Sequence, residues 1–135
     1  LEAMNRSLQL LLGEHEFLSY CKPRQGASTI RSLLAAAWSR PESGVDAGLA
    51  VFEVSADAFC HHMVRSLVGA TLTVGQGRNS EEWPAELLAR RSRELAAPLA
   101  PAHGLTLEAI TYPEPRRWAE QAQAARVLRT SAADD

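Results

Sequence analysis

The stretch "FCHHMVRSLVGATLTVGQG", residues 59–77, sets Cys60, His61, His62 and Arg65 among side chains that are otherwise apolar or small. Such groups serve as metal ligands, as structural residues or as parts of an active site, and all three readings are open. Cys60, His61, His62 and His103 carry the atoms zinc needs. Read as one helix from Asp57 onward, however, the segment points neighbouring side chains about 100° apart, and the cysteine and histidines do not converge. No CxxC or HxxxH spacing occurs, and no metal site is expected. The same divergence separates Cys60 from His61 as a nucleophile and base. Cys60 lies on an apolar ridge and reads as a packed thiol.

Arg65 is the residue that packing does not absorb. Its charge is permanent, and burial without a partner is costly. From Ala58 to Ser80 there is no acid to pair with it. Gly69 follows one turn later and permits close approach of a backbone or ligand. His61, Arg65, Gly69 and Thr73 stand four apart and form a strip. That strip reads either as the floor of a site completed from elsewhere or as one side of a structural pair with Glu53 or another acid. Spacing leaves both open.

The elements that must position this strip follow from periodicity. Leu1, Met4, Leu8, Leu11 and Leu12 share a face and predict an amphipathic helix over 1–12, closed by Gly13. Residues 13–28 read as loop, with Pro23 and Gly26 as breakers. The alanines of 29–40 favour helix by propensity, yet no helical stripe appears. Residues 49–56 alternate and predict a strand, so 29–56 reads as a strand–loop–strand hairpin. Asp57 suits the N-cap of the apolar helix. A second helix starts near Ser80, with Pro84 in its first turn and Leu87 and Leu88 inward. "LTLEAITY", residues 105–112, predicts a last strand. Residues 114–135 are polar and alanine-rich and read as a loose helix or a disordered tail. The order β-β-α-α-β behind a leading helix implies an α+β fold, an antiparallel or mixed sheet with helices packed on one face.

A length of 135 residues suits a single domain with a real core. The chain opens on Leu1, which suits a processed product or a fragment. No run of about 18 apolar residues occurs, so no membrane-spanning helix is expected. Two cysteines, Cys21 and Cys60, are too few for a disulfide framework, and reduced thiols in a cytoplasmic protein are the simplest expectation. The net charge of −2 gives no general pull toward polyanions. Its distribution says more: Lys22, Arg24, Arg31 and Arg40 fall between Phe17 and Pro41 with no acid among them. Such a stretch is either an ordinary solvated surface or one basic face.

"FCHHMVRSLVGATLTVGQGR" resembles the helix signature of TruA-type tRNA pseudouridine synthases. "LLGEHEFLSYCKPRQGASTIRSL" (11–33) is similar to the segment that opens that family's C-terminal domain. "EEWPAELLARRSRELAAPLAPAHGLTLEAITYP" (81–113) resembles its second helix and closing strand. The likeness runs from Met4 to Pro113 with these stretches in the family's order. It implies that residues 1–113 form the C-terminal domain, half of a pseudouridine synthase fold, with 29–40 as strand and 114–135 as a polar tail. The implied activity is conversion of uridine to pseudouridine on the 3′ side of the tRNA anticodon stem-loop, in a homodimer and without a cofactor. Arg65 would match the arginine that pairs with the catalytic aspartate, and Leu105 a leucine of the base pocket. Lys22 and Arg24 would fall in a basic loop that meets tRNA, and His61 and His62 would position the helix near the RNA. The family's Arg-Thr-Asp-x-Gly-Val-His-like motif does not occur here. Asp46 in "GVDAGLA" shares only Asp-Ala-Gly with it and lies in the wrong order. The resemblance therefore implies a chain that is inactive in isolation. The alternative is a non-catalytic RNA-binding or dimer-forming module.

Overall fold

A computed structural model describes residues 1–92, 94, 96, 98–111, 114 and 117. The first helix, α1, spans Glu2–Gln9 and buries Met4, Ser7 and Leu8. It ends earlier than its apolar pattern suggests, because the chain must turn into a strand. Gly13 takes φ +98°, a region open to glycine, but it starts that strand rather than capping the helix.

Three strands form one antiparallel sheet in the order β1 (Gly13–Glu16), β2 (Ile30–Ser39), β3 (Val51–Ala56). β1 lies within the segment expected to be loop. Its four residues pair from Gly13 opposite Leu33 to Glu16 opposite Ile30. A strand this short and polar carries no alternation to read, and its pairing with β2 creates it. β2 is a strand despite its alanines, because it is the central strand with ladders on both sides. The expected hairpin is present, with Trp38 opposite Phe52. Beyond Leu33 the β1 side of β2 has no strand partner. There Asn5 of α1 covers the edge: its Nδ2 donates to the Trp38 carbonyl at 2.9 Å, and its Oδ1 accepts from the Trp38 N–H at 2.7 Å.

Leu33, Ala36 and Trp38 point into the core, while Leu34, Ala35 and Ala37 are exposed. The inward face is covered by α1 together with α2 (Met63–Gly75) and α3 (Trp83–Arg90). From α2 come Met63, Leu67 and Ala70, from α3 Leu87 and Leu88, and from the 3-10 turn Leu18–Tyr20 comes Tyr20. Trp38 Nε1–H donates to Thr71 Oγ1 at 3.0 Å, a hydrogen bond that fixes α2 against the sheet. The α+β architecture with helices on one sheet face is as the sequence implies.

Two expected elements differ. Asp57 does not cap α2, which begins at Met63, five residues after Ala58. Its Oδ1 accepts instead from the Ser32 N–H at 2.9 Å and the Ala58 N–H at 2.8 Å, so the carboxylate ends the β2–β3 ladder. Residues 105–111 form no strand among the described residues; a 3-10 turn, Ala102–Gly104, precedes them. The expected tail over 114–135 lies outside the described residues apart from Glu114 and Arg117.

Candidate nucleic-acid interface and arginine strip

Because α2 starts late, Cys60, His61 and His62 are not helical. The chain reverses over them: Met63 N–H donates to the Cys60 carbonyl at 3.1 Å, and His62 sits at φ +68°. Helical divergence is thus not what separates these side chains. Cys60 turns toward Cys21 and is disulfide-bonded to it, with the two Cα atoms 5.6 Å apart. The expectation of two reduced thiols is overturned. What sequence could not show is that the loop after Tyr20 runs beside residues 60–62; Lys22 N–H donates to the His61 carbonyl at 2.8 Å. His61 stacks on His62 with ring centroids 4.1 Å apart.

These two segments and the start of β2 enclose a cavity of about 130 Å3. Lys22, Arg24, Arg31 and His61 line it, with Phe59 and Ser28, and no acid among the described residues does. Arg31 is held by Nη1, which donates to the carbonyls of Ser28 at 2.9 Å and Ile30 at 2.7 Å. Its Nε is buried and has no hydrogen-bond partner. Three guanidinium or ammonium groups around one concavity with no carboxylate attract an anion, and a phosphate oxygen would satisfy such a donor. The family resemblance points to Lys22, Arg24 and His61 but not to Arg31. Its signal was present in the acid-free stretch from Phe17 to Pro41.

Arg65 and Leu105 do not line this cavity. Arg65 sits in the first turn of α2, half-buried, and its Nε donates to the Ala100 carbonyl at 2.6 Å. The Ala100 N–H donates in return to the Arg65 carbonyl at 3.2 Å. Arg6 pairs with Glu2 and Glu81, and among the described residues no carboxylate pairs with Arg65. The structural pairing with Glu53 is therefore not made. Gly69 lies one turn on, fully enclosed, under the backbone of Pro98. Leu105 is 53% exposed on the extended segment after Gly104. Asp46 is exposed in the turn between β2 and β3.

The α+β domain thus carries a basic cavity and, apart from it, an arginine that no carboxylate among the described residues pairs with. The sequence profile of the family described as tRNA pseudouridine synthase matches residues 8–113. Among curated proteins, tRNA pseudouridine synthase A of Streptomyces griseus is 47% identical over 130 residues, 96% of this chain and 45% of that protein. The Frankia casuarinae protein of the same name is 47% identical over 128 residues, 94% of this chain and 45% of its own length. That of Bifidobacterium longum is 42% identical over 148 aligned positions, 96% of this chain and 48% of its own length. This chain belongs to the tRNA pseudouridine synthase family. It spans less than half the length of these relatives. No helix among the described residues is long and apolar enough to cross a membrane.

Proposed function

We propose that this chain is the C-terminal domain of an enzyme that isomerises uridine to pseudouridine on the 3′ side of the tRNA anticodon stem-loop. In that reaction the N1–C1′ bond breaks, the base turns, C5 bonds to C1′, and the proton lost from C5 is balanced by one gained at N1. The uridine must leave the stack to reach the pocket. The catalytic aspartate comes from an N-terminal half, and Arg65 holds its carboxylate in place. A guanidinium fixed before the reaction is preorganised electrostatics and costs no rearrangement at the transition state. Leu105 forms a wall of the base pocket, which accounts for an exposed leucine on a segment with no partner strand among the described residues. Lys22 and Arg24 meet tRNA phosphates, and the stacked His61 and His62 support the same surface. No cofactor is required. The enzyme acts as a homodimer in the cytoplasm, where its tRNA substrate is found.

The observation that carries this reading is Arg65: half-buried, tied by one edge to Ala100, and paired with no carboxylate among the described residues. The experiment is to assay pseudouridine formation in an anticodon stem-loop with the isolated chain and with the full-length protein that contains it. The isolated chain is expected to be inactive and the longer protein active. Pseudouridine made by the isolated chain would refute the division of the site.

A further inference from the structure

An arginine that must hold a carboxylate needs a fixed plane, since its fork recognises anions by orientation as well as charge. A long side chain at the start of a helix has several rotatable bonds and no such plane of its own. Here the plane is set from the other side. The Pro98–Ala100 backbone crosses α2 at Arg65 and Gly69 and exchanges two hydrogen bonds with Arg65, Nε to the Ala100 carbonyl at 2.6 Å and Ala100 N–H to the Arg65 carbonyl at 3.2 Å. Nε is the inner edge of the guanidinium, so bonding it leaves the two terminal amines as the fork for an anion.

This crossing depends on Gly69. A Cβ built there would overlap the Pro98 carbonyl oxygen and stand 2.8 Å from the Pro98 carbonyl carbon. Both atoms are backbone, so neither can swing aside as a side chain would. Glycine is a poor helix former, and alanine would suit the middle of α2 better. Its φ is ordinary helical, and backbone conformation does not demand it. Close approach of the crossing segment does.

We infer that Gly69 is a positioning residue: by admitting the Pro98–Ala100 backbone against α2, it fixes the guanidinium plane of Arg65 through the Ala100 carbonyl. This rests on the proposed role of Arg65, and the test separates the two. In the full-length protein, Arg65→Ala is measured first; wild-type activity there refutes the role of Arg65 itself. With that variant inactive, Gly69→Ala is expected to lower kcat about 100-fold while KM for tRNA stays within about twofold. Arg65→Lys, which keeps the charge but cannot bond Ala100 and also fork an anion, is expected not to rescue. In the isolated chain, the Arg65 Nε–H is expected to exchange slowly with solvent in the wild type and fast in Gly69→Ala. Wild-type kcat in Gly69→Ala, or wild-type kcat in Arg65→Lys, overturns the inference. If Gly69→Ala does not fold, the wild-type chain decides: slow exchange of the Arg65 Nε–H supports the Ala100 anchor, and exchange as fast as that of a free guanidinium refutes it.

Discussion

The backbone N–H of Lys22 donates to the His61 carbonyl at 2.8 Å, one residue along each chain segment from the Cys21–Cys60 bond. The basic loop and the segment leading into α2 are thus joined twice, once covalently and once by a hydrogen bond. The walls of the basic cavity are set by that double link.

Reduction should therefore loosen both the fold and the cavity. The bond spans 39 positions in sequence, and the loop-closure relation puts its worth at about 4 kcal/mol. Urea unfolding with and without a reductant is expected to show a loss of that order, and alkylation after reduction should label both cysteines. Equal stability in both states, or two thiols that react before reduction, would show that the bond does not hold the fold.

Arg31 tests the cavity. Arg31→Gln is expected to weaken binding of a short RNA by the isolated chain and to lower the slope of log affinity against log salt by about one. Lys22→Ala should act in the same direction. An unchanged salt slope would show that no phosphate enters there.

Tyr20 tests the packing behind the site. Its hydroxyl is buried and donates to the Pro84 carbonyl at 2.8 Å, joining the turn before the basic loop to α3. Burial raises its pKa well above the usual phenol value of 10.0. The folded state then keeps a proton that the unfolded chain releases above about pH 10. This contribution is complete below that pH and is lost as pH rises toward the folded value, by at most about 1.4 kcal/mol per pH unit. Tyr20→Phe is expected to cost about 1 kcal/mol near neutrality and to flatten the alkaline fall seen in urea unfolding. An identical alkaline profile in the variant would refute the assignment.

Much of the fold is legible in residue patterns. The alternation of Phe52, Val54 and Ala56 marks β3, and the ridge Met63, Leu67, Ala70, Val74 marks the buried face of α2. What patterns could not reveal are features made by distant partners. β1 exists because β2 lies beside it. Asp57 looks like a helix cap because its nearest neighbours in sequence are all that sequence displays; its actual partner, Ser32, is across the hairpin. The disulfide was hidden for the same reason, since Cys21 and Cys60 meet only after the chain reverses at His62.

The candidate site divides similarly. Arg65 was legible because an unpaired charge on an apolar segment needs an explanation. Lys22 and Arg24 are legible as part of an acid-free basic stretch, and a role for them and for His61 beside RNA is what the family resemblance implies. Their meeting in one cavity with Arg31, and the anchoring of Arg65 by Ala100, required three dimensions.

Through Arg65 this chain is proposed to supply half of an active site. The most direct measurement is pseudouridine formation in tRNA by the full-length protein carrying Arg65→Ala, alongside its melting temperature and tRNA affinity. The variant is expected to fold, bind tRNA and form no pseudouridine. Wild-type turnover by a folded Arg65→Ala protein would contradict it.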